Sequence, residues 1–296
     1  MTIVDIIFYA IFISQIYLIS YHYPKQTYDR NMYVLRNYPA ADYPKLYQPS
    51  RYADPSKAIH KTIRRYMFAN ITIAVLGLGL LLTMAASGYA PSDIKENEQI
   101  MFVMFFFILQ AVPQVLLEIS TYKWLKDMRS GAKSNTRKAD LSPRKLFDFI
   151  SPFYVALAVL AFVSWVVYYF YNKGFTTPWD WQSYVTIVSM TGINLALIGF
   201  GYKFLRGQKP DPHQAYKDQR RSIKTIIRVF VFASILISVQ LMVFDAINQN
   251  GWDRFEPIAM SIYYQAVIIF GIGQVLRMFK IEDIDFDVYK EDAKLM

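Results

Sequence analysis

The sequence predicts an all-α, polytopic membrane protein with about seven transmembrane helices and short cytoplasmic or interfacial helices. Three observations predict it. Of 296 residues, 54% are hydrophobic and only 19% are charged, whereas a soluble domain carries about 25% charged residues. The apolar residues gather into blocks near 3–20, 67–88, 99–120, 151–172, 182–204, 226–247 and 257–278. At ~1.5 Å per residue, each approaches or exceeds the ~30 Å hydrocarbon layer. Counting Lys203 at the end of block five and Arg228 at the entrance to block six, the segments after blocks one, three and five, with the tail from Arg277, hold 29 of the 32 Lys and Arg, leaving Lys95, Lys173 and Arg254 on the other side. That asymmetry is the positive-inside distribution. The chain is therefore read as one integral membrane domain, N-terminus outside and C-terminus cytoplasmic, with the bacterial inner membrane as the simplest home.

Block one is the weakest, because Asp5 and Gln15 interrupt it. It has no basic residue before its apolar run and no small-x-small site after it, so it is read as a retained helix. The cytoplasmic segment 23–66 follows. In it Tyr33, Tyr38, Tyr43, Tyr47 and Tyr52 recur about every five residues, with Pro39, Pro44 and Pro49 among them. Proline holds the chain extended and removes backbone donors, and tyrosine suits the headgroup boundary. The expectation is an aromatic belt folded over the cytoplasmic helix ends, with a docking site for a protein partner as the sharper reading.

Helix starts are signalled by a capping residue before proline at Asp54-Pro55, Ser142-Pro143, Ser151-Pro152, Thr177-Pro178 and Asp211-Pro212. The cap oxygen accepts an orphan N–H, and proline at the first helical position has no bond to lose. Lys57, Lys61, Arg64 and Arg65 follow the first of these at helical spacing; Lys217, Arg220, Arg221, Lys224 and Arg228 follow the last. Each series forms a cationic stripe on a helix entering the membrane, suited to anionic lipid headgroups. The paired starts suggest a duplication of three spans around a linker span; independent acquisition of caps and positive-inside charge is the plainer explanation.

In block three, Gln110, Gln114 and Glu118 repeat at i, i+4, i+8 beside Pro113, one face ~12 Å long. Polar groups facing lipid are costly, so this face is expected to point into the bundle or a wet cavity. Proline there frees the carbonyl of Leu109. The plainer expectations are an interfacial carboxylate for Glu118 and helix–helix bonding for the two glutamines. Asn70, Asn194, Gln240, Gln265 and Gln274 are further polar residues within spans, without motif spacing. Residues 141–149 are expected to form a short interfacial helix with Leu146 and Phe147 toward lipid. In the tail, Ile284, Phe286 and Val288 alternate with Asp283, Asp285 and Asp287, a segment either laid against basic loops or solvated.

Several classes are disfavoured. Membrane topology accounts for the net charge of +9 without nucleic acid, and the absence of cysteine removes disulfides and thiolate-bound metals. His22, His60 and His213 do not make the histidine boxes of di-metal membrane enzymes. No paired membrane aspartates, P-loop or Gly-rich dinucleotide fingerprint is present. Neither a metal nor a cofactor is expected, and an enzyme is disfavoured. Pro113-Gln114 within a helix of a seven-span chain resembles the PQ-loop and sugar-exporter families. It departs from them in lying in span three, and the corresponding late helix carries Gly273-Gln274. Two functional expectations follow. One is a binder or carrier of a small polar solute using Gln110, Gln114 and Glu118. The other is a non-catalytic accessory or scaffolding subunit whose cytoplasmic face holds a partner or anionic lipid.

Overall fold

The computed structural model describes residues 2–48, 53–89, 96–131, 144–175, 178–207 and 209–291. Its regular elements are helical, with no strand among the described residues. Among the described residues, seven helical stretches are long and apolar enough to cross a membrane: Ile3–Asn37, Pro55–Ala86, Met101–Gly131, Pro152–Lys173, Trp181–Arg206, Tyr216–Gln249 and Asp253–Met278.

The first stretch runs further than its apolar block. Helix α1 (Ile3–Tyr17) passes through a π turn (Leu18–His22) into α2 (Tyr23–Asn37). Thr2 and Asp5 form a reciprocal capping box at its start, which explains an acid in an apolar block. The π turn has a local cause. Pro24 carries no N–H for the carbonyl of Ser20, and its ring crowds that turn; Tyr23 N–H reaches Leu18 O instead, five residues back. Segment 23–37 is thus helix, and the belt begins only at Tyr38.

Of the expected helix starts, two are seen as written. Asp54 caps α3 (Pro55–Ala86), accepting from Lys57 N at 3.0 Å, and Ser151 caps α5 (Pro152–Lys173) at Phe153 N. Between them runs α4 (Glu96–Gly131), continuous through Pro113. The other starts differ. Helix α6 (Trp181–Arg206) begins after Asp180, and α7 (Tyr216–Gln249) begins after Ala215. Asp211 is no cap: its Oδ1 takes His213 N at 2.8 Å and its Oδ2 takes the hydroxyl of Tyr289 at 2.6 Å. Ser142, Pro143 and Thr177 lie outside the described residues. The last stretch comprises a 3-10 turn (Asp253–Phe255), α8 (Glu256–Ile268), a second π turn (Ile269–Gly273) and α9 (Gln274–Met278).

Packing sorts the spans into two groups. Phe8, Phe12 and Ile16 of α1, Ile73 and Leu81 of α3, Val103 and Phe106 of α4, and Ile258 of α8 form one core. Gly77 permits this approach, since a Cβ there would overlap the Phe106 ring. The second group is α5, α6 and α7. Phe149, Ile150, Leu205, Ile223 and Ile227 pack at one end, and Trp165, Tyr169 and Met190 at the other. Helix α7 also meets the last span, where Phe232 and Phe270 lie 5.0 Å apart. The last span thus packs against α1 and α4 on one side and α7 on the other.

The belt and tail form a cap at one end. Phe286 stacks on Tyr38 at 3.7 Å, and Ile281, Phe286 and Tyr289 pack with Val34, Tyr38, Tyr43 and Leu46. Arg30 donates to the carbonyls of Leu276 and Phe279, satisfying acceptors that end the last span. The expected interfacial helix before α5 is a 3-10 turn, Leu146–Asp148, with Leu146 and Phe147 exposed and Phe149 and Ile150 buried.

Candidate functional site

Two sets of polar residues stand out: a chain inside the first group of spans, and the cations at the capped end. The inner chain begins on α8. Ser261 Oγ donates to Gln15 Oε1 at 2.5 Å, Gln15 Nε2 to Gln110 Oε1 at 2.8 Å, and Gln110 Nε2 to Ser20 Oγ at 2.9 Å. All four residues are buried, and they tie α8, α1, α4 and the first π turn together. Ser14 and Gln265 add a parallel link, Ser14 Oγ donating at 3.0 Å and Gln265 Nε2 returning to Ile11 O at 3.1 Å. These are hydroxyls and amides, with no group among them suited to proton transfer near neutral pH. What the chain does chemically is hold helices in register.

The three residues of the expected solute stripe therefore separate. Gln110 is buried and bonded to other helices. Gln114 is half-buried, accepting from Tyr66 Oη at 2.8 Å and donating to Glu118 at 2.9 Å, while Glu118 is exposed. Ser20 and Ser261 were not singled out by sequence, and Gln15 was noted only as an interruption of block one. A glutamine in the middle of an apolar block was the available signal.

The cationic stripes lie at the other site. Lys57, Lys61, Arg64 and Arg65 are all exposed on the first turns of α3. Asp54 ion-pairs with Lys57 at 3.1 Å, and its backbone bond from Lys57 N holds its carboxyl down at about 2. On α7, Lys217, Arg220 and Lys224 are exposed, while Arg221 turns toward the tail and meets Asp283 at 3.5 Å. Asp218, buried two residues into that helix, accepts the backbone N–H of Asp285 at 3.0 Å. So the acidic tail lies against the basic helix entrance, while its apolar residues cover the belt. Burial, and after it the charge and hydrogen bond of Asp211, raise the Tyr289 hydroxyl above its ordinary pKa. No group of three or more His, Cys, Asp or Glu suited to a metal ion gathers among the described residues.

The chain matches no protein-family model, no curated protein and no solved structure.

Proposed function

We propose that this chain is a non-catalytic, multi-pass membrane protein that holds anionic lipid at its capped, basic end, acting as an accessory or scaffolding subunit. That end is assigned to the cytoplasmic side of the cell membrane, an assignment the distribution of Lys and Arg supports. One observation carries the reading: of the nine stripe cations on α3 and α7, seven are exposed. A cation near an anionic leaflet contributes about 1 kcal/mol to lipid attraction. By contrast, solute binding through Gln110, Gln114 and Glu118 is less well supported, because the two glutamines already bond to protein. A protein partner on the Tyr/Pro belt has a similar difficulty, since the chain's own tail covers Tyr38, Tyr43 and Leu46.

The test is native mass spectrometry of the purified chain from a mixture of phosphatidylglycerol and phosphatidylcholine. The wild type should retain phosphatidylglycerol preferentially. Replacing Lys57, Lys61, Arg64 and Arg65 with Gln should cut that retention roughly tenfold or more. Equal retention of both lipids by the wild type would end this reading and leave the stripes a topological role alone.

A further inference from the structure

At the entrance of α7 the surface folds inward. Asp148, Phe149, Arg220, Arg221, Lys224 and Met278 line a cavity of about 300 Å³, at the lower end of small-molecule sites. Three of the six lining residues are cations and one is an acid, so an anion is favoured there. Asp148 is already engaged, accepting Lys145 N at 3.1 Å. Arg220 lies over the Phe149 ring at 5.7 Å, which fixes one guanidinium at the rim. Lys224 follows Arg220 and Arg221 by one helical turn, on the same face.

Arg221 is the informative residue. One of its terminal nitrogens, Nη2, faces Asp283 of the tail at 3.5 Å, and the other, Nη1, is enclosed by protein without a hydrogen-bond partner. Two turns deeper, Arg228 Nε is likewise enclosed and unpartnered, and its Nη1 finds the thioether of Met278 at 3.9 Å. Buried guanidinium donors rarely go unsatisfied. Two of them on one face of α7, one lining the cavity and the other two turns deeper against its Met278, mark a place built to receive acceptor oxygens.

We infer that this cavity is a phosphate site, in which Arg221 and Lys224 bind the phosphate oxygens of a phosphate ester while Asp283 holds the Arg221 fork in position. A planar guanidinium matches a tetrahedral oxyanion through paired N–H donors, and a lysine adds a point charge. Phe149 and Met278 give the floor an apolar surface for the carbon next to the ester. The phosphate comes either from a lipid headgroup, at the depth where α7 enters the apolar layer, or from a soluble ester. This deepens the lipid-holding reading at one locus, yet it stands separately: the α3 stripe takes no part in it.

The experiment measures binding to the purified full chain, with phosphatidic acid and phosphatidylcholine in detergent as the lipid arm and inorganic phosphate by calorimetry as the soluble arm. Arg221→Gln should weaken binding of the phosphate-bearing probe roughly tenfold, the loss of a charge-assisted bond. Lys224→Gln, an exposed position that leaves the fold intact, should weaken it by a smaller factor, and Arg221→Lys should restore part of the loss. The quadruple α3 variant should leave the site unchanged. Phosphatidic acid bound with this dependence identifies a lipid source, and inorganic phosphate bound with it a soluble one; either supports the site. Binding by Arg221→Gln and Lys224→Gln at wild-type strength overturns it, as does an equal loss in the α3 variant. Arg221-dependent phosphate binding without preference for anionic lipid would keep the site and remove the broader lipid-holding reading.

Discussion

Gln110 is bonded on both sides, to Gln15 and to Ser20, and each interhelical bond of this kind contributes about 0.6 kcal/mol, at most about 1.7. Gln110→Ala should accordingly lower stability by about 1–2 kcal/mol in detergent unfolding, whereas Glu118→Gln, at an exposed position, should leave it within about 0.5 kcal/mol. Gly273 makes a sharper case. A Cβ there would lie 2.5 Å from Tyr23 Oη and 2.9 Å from Cζ, and the ring is buried. Gly273→Ala should cost about 1–3 kcal/mol by overpacking, and adding Tyr23→Leu should recover part of it. A double variant no more stable than the sum of the singles would show that the two positions do not touch. Residue-scale legibility was uneven. The period-four spacing put Gln110 and Gln114 on one face correctly, but spacing cannot say which partners wait across that face. Gln15 looked like a defect of block one because its partners, Gln110 and Ser261, lie 95 and 246 residues away.

The helices that carry the stripes are longer than a bilayer's apolar layer is thick. Helix α3 has 32 residues and α7 has 34, about 50 Å each at ~1.5 Å per residue, so both project beyond a ~30 Å core at their basic ends. Apolar blocks read from sequence stop where hydropathy stops, which is why the spans were expected shorter than the helices are. Caps were legible where the side chain stays local, as at Asp54 and Ser151. At Asp211 the same dipeptide failed, because a residue 78 positions later, Tyr289, takes the carboxylate. The tail was the least legible element: alternating Ile, Phe and Val with Asp suits either docking or solvation, and the stack on Tyr38 decides it. Phe286→Ala should release the tail, seen as faster proteolysis after residue 279 with the spans intact; unchanged cleavage would contradict the docking. The tail should also loosen in alkali. Tyr289 has its folded pKa raised above the ordinary tyrosine value of 10.0. Its bond to Asp211 therefore stabilises docking fully below about pH 10 and is lost as pH rises through the raised value. Tail proteolysis should accelerate in that window for the wild type, and Tyr289→Phe should blunt the pH response.

Across the whole molecule, contacts join segments that the sequence assigns to the same end. Tyr9 Oη donates to Tyr89 O at 3.0 Å, and Lys173 meets Asp180 at 3.4 Å, at the sparsely charged end. Arg30 with Phe279, and Arg221 with Asp283, meet at the basic end. The seven long apolar helices were legible because hydropathy reports them directly, without knowledge of partners. The division into two packed groups was not, since helices in lipid associate through shape and a few polar bonds rather than apolar content. Everything assigned to the basic end, lipid and phosphate alike, depends on that end facing the cytoplasm. The chain contains no cysteine, so single substitutions report topology cleanly. In intact cells an impermeant thiol reagent should label Ser92→Cys, between α3 and α4, and should label Ser134→Cys, after α4, only once the membrane is opened. Labelling of Ser134→Cys from outside with Ser92→Cys protected would invert the molecule and contradict the account.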